Sequence, residues 1–299
     1  MKYTIAIPAY NNADIIDKAI ESCLNQNFDY DYEVLVSDDG STDNSHEVYQ
    51  NYLNHPSFKL VKHKKNSSLY ENHNRCLRAS SSEYVIFCHA DDELFDDALS
   101  KLDSALKKIN YPKRIVCWGR SFFRDFNSAY SKVSALNDIV SGKSAQELFQ
   151  HGGLTPSGTC YSRASFLESG GFLPMRNKIT PSDITSMIKY SLDGAEFLML
   201  DRLLFKREFA STACRITQEE AFESVEHAIE ELARVLSPKK METLFNNIET
   251  FTTINLRYML ILSKYSSNDK LKKKLKAKFI LKHPLSLRNK FTRKLLFKK

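Results

Sequence analysis

Two acidic clusters follow short apolar segments in the first third of the chain and carry its clearest chemical signal. Residues 37–43 read SDDGSTD after the run EVLV, and residues 89–93 read HADDE after YVIFC. Either cluster alone is typical of a turn or a helix cap. Two clusters at equivalent strand ends indicate more, because gathered carboxylates repel one another unless a cation or hydrogen-bond donors lie between them. Carboxylate oxygens suit Mg²⁺ or Mn²⁺, and substrate phosphates commonly complete the coordination.

Other motifs for phosphate, calcium and thiol chemistry are absent from the sequence. No GxxxxGK[ST] or GxGxxG loop occurs, so phosphates would have to be held by a metal rather than by a glycine-rich loop. Residues 39–43 lack the alternating ligands and the distal glutamate of an EF-hand. The six cysteines include no CxxC pair, which favours reduced thiols in a cytoplasm over a disulfide framework or a zinc site.

Alternating strand and helix patterns surround both clusters. The hydrophobic pattern predicts strands at 3–8, 32–37, 58–63, 84–89 and 115–119, and helices at 13–26, 44–53, 69–79 and 96–109. This alternation predicts an α/β fold whose mostly parallel sheet is covered by helices on both faces. Ligands of such sheets bind beyond the carboxyl ends of the strands, which is where both clusters lie.

The second half of the chain is less regular. Turn signals interrupt residues 120–215, where we expect a short helix at 182–192 and strands at 196–200 and 203–205. From Thr217 onward the pattern is purely helical and begins with the capping box TQEE. We therefore predict two domains, one at 1–212 and a helical C-terminal region at 213–299.

Charge is segregated along the chain. Residues 264–299 hold 14 Lys or Arg and one Asp, whereas the whole chain has a net charge of +7, so the remainder is acidic. Two apolar triads recur every four positions in this tail, which predicts a basic amphipathic helix on an anionic membrane surface. The triads are Leu271, Leu275, Phe279 and Leu287, Phe291, Leu295. An alternative to membrane insertion is that the first triad packs on the rest of the protein. A tail that contacts nucleic acid would need the basic residues but not the apolar triads.

The sequence shows neither a membrane span nor a secretion signal. No run approaches 18 apolar residues, and the apolar N-terminal stretch ends at Pro8, too early for a signal peptide. We expect a cytoplasmic protein that binds the inner face of the cell membrane peripherally through its tail and has no nucleic-acid partner.

Several segments, in order, resemble the family 2 glycosyltransferases with the GT-A fold. They are TIAIPAYN at 4–11, VSDDGSTD at 36–43, the segment 66–74, the DD pair at 91–92, the R…GGF stretch at 163–172 and the SD…G stretch at 182–194. The resemblance covers about residues 3–210. It implies the nucleotide-diphospho-sugar transferase fold, here with a C-terminal helical extension, and a nucleotide-sugar donor, for which we favour a UDP-sugar.

The resemblance implies a nucleotide pocket at the ends of the first two strands. Asp39, the second Asp of DDGS, would contact the donor's base. Pro8, Tyr10 and Asn11 would line the same pocket. His73 stands where the family has an Arg, and we place it among the donor-binding residues.

The resemblance also implies a metal site. Asp91 and Asp92 would hold Mn²⁺ or Mg²⁺, with Asp91 also contacting the donor. His89 replaces the family's usual first Asp, and it is either a metal ligand or an ordinary strand-end histidine. Arg163 and Arg207 are candidate phosphate contacts.

The reaction implied is an inverting glycosyl transfer to a hydroxyl of a lipid-linked glycan, as in surface polysaccharide synthesis. Asp183 would be the general base that takes the proton of the acceptor hydroxyl. The same carboxylate acting as a nucleophile in a double displacement is the alternative. A nucleotidyltransferase, a non-catalytic nucleotide-sugar-binding module and a nucleic-acid-binding protein that uses the basic tail also stay open as functions.

Overall fold

The computed structural model describes residues 1–123, 138–149, 155–174, 182–207, 218–249, 269–282 and 293. Its first half has the predicted strands and helices in the predicted order, with one additional short strand at 92–94. The elements are β1 (Tyr3–Ala9), α1 (Ile16–Leu24), β2 (Tyr32–Asp38), α2 (Ser45–Gln50), β3 (Phe58–Lys62), α3 (Leu69–Ala79), β4 (Tyr84–Phe87), β5 (Asp92–Leu94), α4 (Ala98–Lys108) and β6 (Ile115–Phe123).

The second half adds short strands, one long strand and further helices. The elements are β7 (Ile139–Ser141), α5 (Gly142–Phe149), β8 (Thr159–Ser162), α6 (Arg163–Glu168), α7 (Ser182–Leu192), β9 (Glu196–Arg207), α8 (Gln218–Val235), α9 (Pro238–Glu249) and α10 (Asp269–Lys282). The predicted helix at 182–192 is confirmed. Helices α8 and α9 confirm the helical pattern that follows Thr217.

One sheet contains all of the described strands. Their order is β3-β2-β1-β4-β8-β6-β9-β5, and β7 pairs with β9. The pairs β1–β2, β1–β4 and β2–β3 are all parallel, as predicted. Strand β8 runs antiparallel between β4 and β6, and β5 and β7 run antiparallel to β9. The α/β fold is therefore confirmed, with one parallel half and one mixed half.

The hydrophobic pattern does not predict β5 and β8, because both are short and polar. Strand β5 lies inside the second acidic cluster, and β8 follows a turn signal. Each forms through pairing with distant strands rather than through its own sequence pattern. Strand β9 is continuous where two strands are predicted, and the expected interruption corresponds to register shifts beside Gly119 and Arg120 of β6.

The core that holds the strand ends lies between the sheet and two amphipathic helices. Alternate residues of the central strands, such as Ile5, Val34 and Ile86, are buried in it. Helices α1 and α4 cover it with apolar residues at helical spacing, which are Ile16, Ala19, Ile20, Cys23, Ala98, Leu99, Leu102 and Leu106. Full burial of one large aliphatic side chain stabilises a fold by about 1.5–3 kcal/mol. The carboxyl ends of β1, β2 and β4 therefore stand on a rigid base.

The chain divides into two compact units. The first contains residues 1–142, 154–172 and 193–213, and the second contains 143–153, 173–192 and 214–299. Within the second unit, Asn247 donates a hydrogen bond to Gln146 Oε1 at 2.9 Å. The domain division near residue 212 stays a prediction.

Helix α10 corrects part of the prediction for the basic tail. Leu275 and Phe279 are buried, whereas Leu281 is 81% exposed. Leu275 and Phe279 are therefore not free to enter a membrane, and for these two residues the insertion prediction is wrong. The alternative, in which this segment packs on the protein, is favoured. The Leu271 side chain and the triad Leu287, Phe291, Leu295 lie outside the described residues. None of the described helices is long and apolar enough to cross a membrane.

Candidate active site

The first acidic cluster places an anchored carboxylate at the end of β2. Asp39 is 2% exposed. It accepts hydrogen bonds from the Ser67 backbone N–H at 2.9 Å and from the Ser67 hydroxyl at 3.1 Å. Arg75 of α3 forms an ion pair with it. Because Asp39 is held from two sides, its carboxylate is oriented before any ligand binds.

Gly40 lets this loop lie close to a neighbouring segment. Its φ is +81°, in the left-handed region that glycine favours. A Cβ at this position would lie 3.1 Å from the carbonyl carbon of Lys65. The G of DDGS is therefore required by the backbone packing that brings Ser67 to Asp39.

The loop after β1 is tied to the loop after β2. Asn11 has a φ of +53°, and its backbone N–H donates to Ser41 Oγ at 2.9 Å. The Thr42 N–H donates in return to Asn11 Oδ1 at 2.8 Å. Tyr10 is exposed beside this junction, and Pro8 is buried in β1. The structure thus brings the predicted base-pocket residues to one edge of the sheet.

The second acidic cluster forms a compact group of metal-ligand types after β4. One ligand atom from each of His89, Asp91 and Asp92 lies within 4.8 Å of the others. His89 Nδ1 and Asp92 Oδ2 are 4.0 Å apart. Asp91 is exposed, whereas the Asp92 side chain is 2% exposed. Since β1, β2 and β4 are parallel, this group shares the sheet edge of Asp39.

Burial dominates the electrostatics of Asp92. Its buried Oδ1 has no hydrogen-bond partner among the described residues. Burial raises the pKa of Asp92 to about 7, helped by the nearby Asp91 charge and opposed by the Ser157 hydroxyl and Arg207. A buried, unpartnered carboxylate oxygen is costly, and a divalent cation would satisfy it. The residues present therefore fit a divalent metal.

His73 and His89 are in direct contact beside this group. His73 of α3 is fully buried, and the two Nε2 atoms are 2.9 Å apart. Burial, followed by the neighbouring His89, lowers the pKa of His73 to about 3. Burial, followed by Arg207, lowers the pKa of His89 to about 4. Both imidazoles are neutral at pH 7.

The GGF stretch holds α3 against the sheet. Asn74 Nδ2 donates to the Phe172 carbonyl, and the Phe172 N–H donates to Asn74 Oδ1, both at 2.8 Å. Gly171 has a φ of +64°, and a Cβ there would lie 2.4 Å from Asn74 Oδ1. The Phe172 ring lies 5.2 Å from the His73 ring, centroid to centroid. This motif therefore packs the helix that carries His73.

The two candidate arginines lie at different places. Arg207 of β9 is the register partner of Asp92 on β5, beside the metal-ligand group. Arg163 instead follows β8 at the amino end of β4, where its Nε donates to the Ser82 carbonyl at 2.8 Å. Because β8 runs antiparallel to β4, Arg163 lies at the end of the sheet opposite to the acidic clusters. Its role as a phosphate contact stays a prediction.

Asp183 occupies the first turn of α7 and is half-buried. It belongs to the second compact unit, whereas the clusters described above belong to the first. A carboxylate in the first turn of a helix is favoured by the helix dipole. Its role as a base stays a prediction.

Sequence reasoning missed residues of α3 and the preceding loop. Arg75 and Ser67 hold Asp39, and Asn72 Nδ2 donates to the Ser37 carbonyl at 2.9 Å. The available signal was the run Asn72, His73, Asn74, which is buried although all three residues are polar. Buried polar side chains on a helix require partners, so the run indicates a functional or organising role.

Comparison with known proteins agrees with this geometry. Residues 4–170 match the family described as Glycosyl transferase family 2. Over 105 residues the chain is 36% identical to the Campylobacter jejuni GalNAc(5)-diNAcBac-PP-undecaprenol beta-1,3-glucosyltransferase. This match covers 34% of the chain and only 33% of that relative's length.

Solved structures share the fold. A fragment of S. aureus TarS in complex with UDP-GlcNAc superposes with a TM-score of 0.68 at 17% identity, covering 99% of this chain and 90% of that one. The mannosyltransferase PcManGT from Pyrobaculum calidifontis, in complex with GDP-Man and Mn²⁺, gives a TM-score of 0.59 at 17% identity, covering 99% and 83%.

Proposed function

Because the chain belongs to glycosyl transferase family 2 and is a glycosyltransferase, we propose that it is a metal-dependent, inverting enzyme. Its donor would be a UDP-sugar and its acceptor a hydroxyl of a lipid-linked glycan in surface polysaccharide synthesis. The observation that carries the proposal is the unpartnered Asp92 oxygen within the His89, Asp91, Asp92 group, on the sheet edge that also carries Asp39.

The two clusters would divide the donor between them. Asp39 would accept a hydrogen bond from the nucleobase, in a pocket bordered by Tyr10 and Asn11. Asp91 and Asp92 would hold Mn²⁺ or Mg²⁺. When bound, the metal supplies Lewis-acid stabilisation of the negative charge that develops on the diphosphate leaving group.

Transfer would proceed by one in-line displacement. The acceptor oxygen forms a bond to the anomeric carbon on the face opposite the diphosphate, whose bond to that carbon breaks, so the configuration inverts. The hydroxyl proton passes to the Asp183 carboxylate.

The names of similar proteins support the finer assignments. S. aureus TarS is in complex with UDP-GlcNAc, which favours a UDP-sugar. PcManGT is in complex with Mn²⁺, which favours manganese. The C. jejuni relative is named for an undecaprenol-linked substrate, which favours a lipid-linked acceptor.

A donor-hydrolysis screen tests the reaction. The full chain is incubated with UDP-, GDP- and dTDP-sugars, with Mn²⁺, with Mg²⁺ and with EDTA. We expect nucleoside diphosphate release from one UDP-sugar only when metal is present, and its loss in Asp92→Asn. Metal-independent release, or release by Asp92→Asn at the parent rate, would refute the metal-dependent proposal.

The membrane contact is proposed on charge alone, since α10 buries Leu275 and Phe279. Lys270, Lys273 and Lys274 are exposed on this helix. A basic residue near an anionic leaflet contributes about 1 kcal/mol, so losing three of them should weaken vesicle binding on the order of 100-fold.

Vesicle co-sedimentation measures this effect. The variant carries Gln at the three exposed lysines of α10, and the matched control carries Gln at Lys18, Lys107 and Lys108, which are exposed in the first unit. Phosphatidylserine-containing vesicles should retain the control and release the variant. Equal retention of both would show that these three lysines of α10 do not make the membrane contact.

A further inference from the structure

We propose that His89 binds the metal through Nδ1, and that His73 is the positioning residue that keeps this nitrogen free of a proton. The inference rests on the proposed metal-dependent function and deepens it. It follows from one chain of contacts: the Leu69 carbonyl, His73, His89 and the carboxylates of the second acidic cluster.

The position of the proton on His73 is set by its first contact. His73 Nδ1 lies 2.7 Å from the Leu69 carbonyl oxygen. A carbonyl oxygen only accepts hydrogen bonds, so Nδ1 carries the proton. The ring is enclosed by aromatic side chains at centroid distances of 4.7 Å for Phe87, 5.2 Å for Phe172 and 5.5 Å for Tyr70. This apolar enclosure disfavours a second proton, so Nε2 is left as an acceptor.

The tautomer of His89 follows from that of His73. The two Nε2 atoms are 2.9 Å apart, which is a hydrogen-bond distance and requires a single proton between them. Since His73 Nε2 accepts, His89 Nε2 donates. A neutral imidazole carries one proton, so His89 Nδ1 has its lone pair available. Metal-bound histidines commonly donate their other ring nitrogen to a partner in this way.

The free nitrogen lies among the carboxylates. His89 Nδ1 is 4.0 Å from Asp92 Oδ2, too far for a hydrogen bond. Two ligand atoms each about 2.1 Å from one cation lie roughly 3.0–4.2 Å apart, so the gap fits a shared metal. Among the residues that the structure describes, no hydrogen-bond donor reaches this nitrogen. A histidine that served only to end the strand would leave the buried Asp92 Oδ1 without a hydrogen-bond partner among the described residues.

A nitrogen ligand has a consequence for metal preference. Carboxylate and water ligands suit Mg²⁺ and Mn²⁺, whereas imidazole favours later transition metals, whose affinities rise from Mn²⁺ through Co²⁺ to Ni²⁺. We therefore expect the 299-residue chain to prefer Co²⁺ and Mn²⁺ to Mg²⁺. His89→Asp replaces the imidazole with a carboxylate and should still bind metal. Its ratio of Co²⁺ affinity to Mg²⁺ affinity should be at least tenfold smaller than that of the parent.

The direct test is pulsed electron paramagnetic resonance of the Mn²⁺-loaded full chain in imidazole-free buffer. We expect nitrogen modulation from a directly bound ¹⁴N, which changes to the ¹⁵N pattern when the protein is ¹⁵N-labelled. His89→Asp should bind Mn²⁺ without this modulation. Stoichiometric Mn²⁺ binding by the parent without nitrogen modulation would overturn the inference and leave the metal-dependent function intact. If no metal binds, with or without UDP, both the function and the inference are wrong.

The role of His73 needs variants that separate positioning from packing. His73→Phe keeps an aromatic ring among aromatic neighbours but removes the acceptor for His89. His73→Gln offers a carbonyl oxygen that can accept the same proton. Loss of a metal ligand's hydrogen-bonded partner typically weakens metal binding about 10–100-fold. We expect His73→Phe to bind metal about 10–100-fold more weakly than the parent and to show weaker nitrogen modulation. In His73→Gln both the metal affinity and the modulation should return toward those of the parent.

The comparison is made on variants whose melting temperatures lie near that of the parent. Parent-like Co²⁺ affinity and modulation in a folded His73→Phe would refute the positioning role. If His73→Phe does not fold, His73→Gln decides alone: parent-like modulation supports the role, and its absence in folded protein refutes it.

Discussion

Asp92 should make the metal-free protein less stable as pH rises. Its pKa is raised from 3.8 to about 7 by burial, so the folded state holds this proton after the unfolded chain has released it. The free energy of unfolding therefore falls as pH rises from about 4 to about 7 and stays low above that. At about 1.4 kcal/mol per pH unit, the loss is on the order of 4 kcal/mol.

The test substitution is Asp92→Asn, which keeps the shape of the side chain and removes its ionisable carboxyl group. In EDTA, the variant should differ little from the parent at pH 4 and should exceed its stability at pH 8. The difference between the variant and the parent in the free energy of unfolding should grow by roughly 1 kcal/mol or more per pH unit between pH 4 and pH 7. Thermal melts measure it, since 1 kcal/mol moves Tm by about 2–4 °C in domains of 150–250 residues.

Two controls sharpen the measurement. Asp96→Asn changes an exposed carboxylate and should give a small effect at every pH. Adding Mn²⁺ at pH 8 should stabilise the parent and leave Asp92→Asn nearly unchanged, because only the ionised carboxylate of the parent gains from a bound cation. A stability gap between Asp92→Asn and the parent that does not change between pH 4 and pH 8 would refute the reasoning, since Asp92 would then be solvated or paired.

Three further substitutions test other parts of the site. Asp183→Asn should retain donor binding and lose about 10²–10⁴-fold in the transfer rate, because an amide cannot take the proton; a parent-like rate would assign the base elsewhere. Gly171→Ala should lower the free energy of unfolding by about 1–3 kcal/mol, more than Gly170→Ala, where a Cβ meets nothing within 4 Å. Arg75→Met should destabilise by about 3 kcal/mol, and adding Asp39→Asn should recover part of this in a denaturation cycle, since the uncompensated buried charge is then removed.

The parallel half of the fold could be predicted because local pattern and tertiary environment agree there. Strands such as IAIPA and VLVS are buried on both faces, so continuous apolar runs mark them. The positions of Asp39 and Asp91 follow from these strands alone, since parallel strands share one carboxyl edge. The residues that follow the strands were therefore the most predictable part of the site.

The other features of the fold and the site depend on contacts between residues that are far apart in the chain, and the local sequence pattern does not predict these contacts. Arg75 reaches Asp39 across 36 positions of the chain, and His73 reaches His89 across 16. Strand β8 lies between β4 and β6 by antiparallel pairing with both, which places Arg163 at the amino end of β4. In the tail, apolar periodicity indicates a buried face equally well for a membrane or for the protein, and Phe279 is buried in the protein.

An imidazole at residue 89, where the resemblance to the family implies a carboxylate, would also change the charge that the proposed site presents to a diphosphate. Asp91 and Asp92 together would balance a divalent cation, and neutral His89 adds a ligand without adding charge. A third carboxylate would leave the metal-bearing group negative and would oppose the approach of an anionic donor. Arg207, the register partner of Asp92, contributes further positive charge at this place. If His89 is a metal ligand as proposed, its hydrogen bond with His73 would provide that ligand without adding negative charge that opposes a diphosphate.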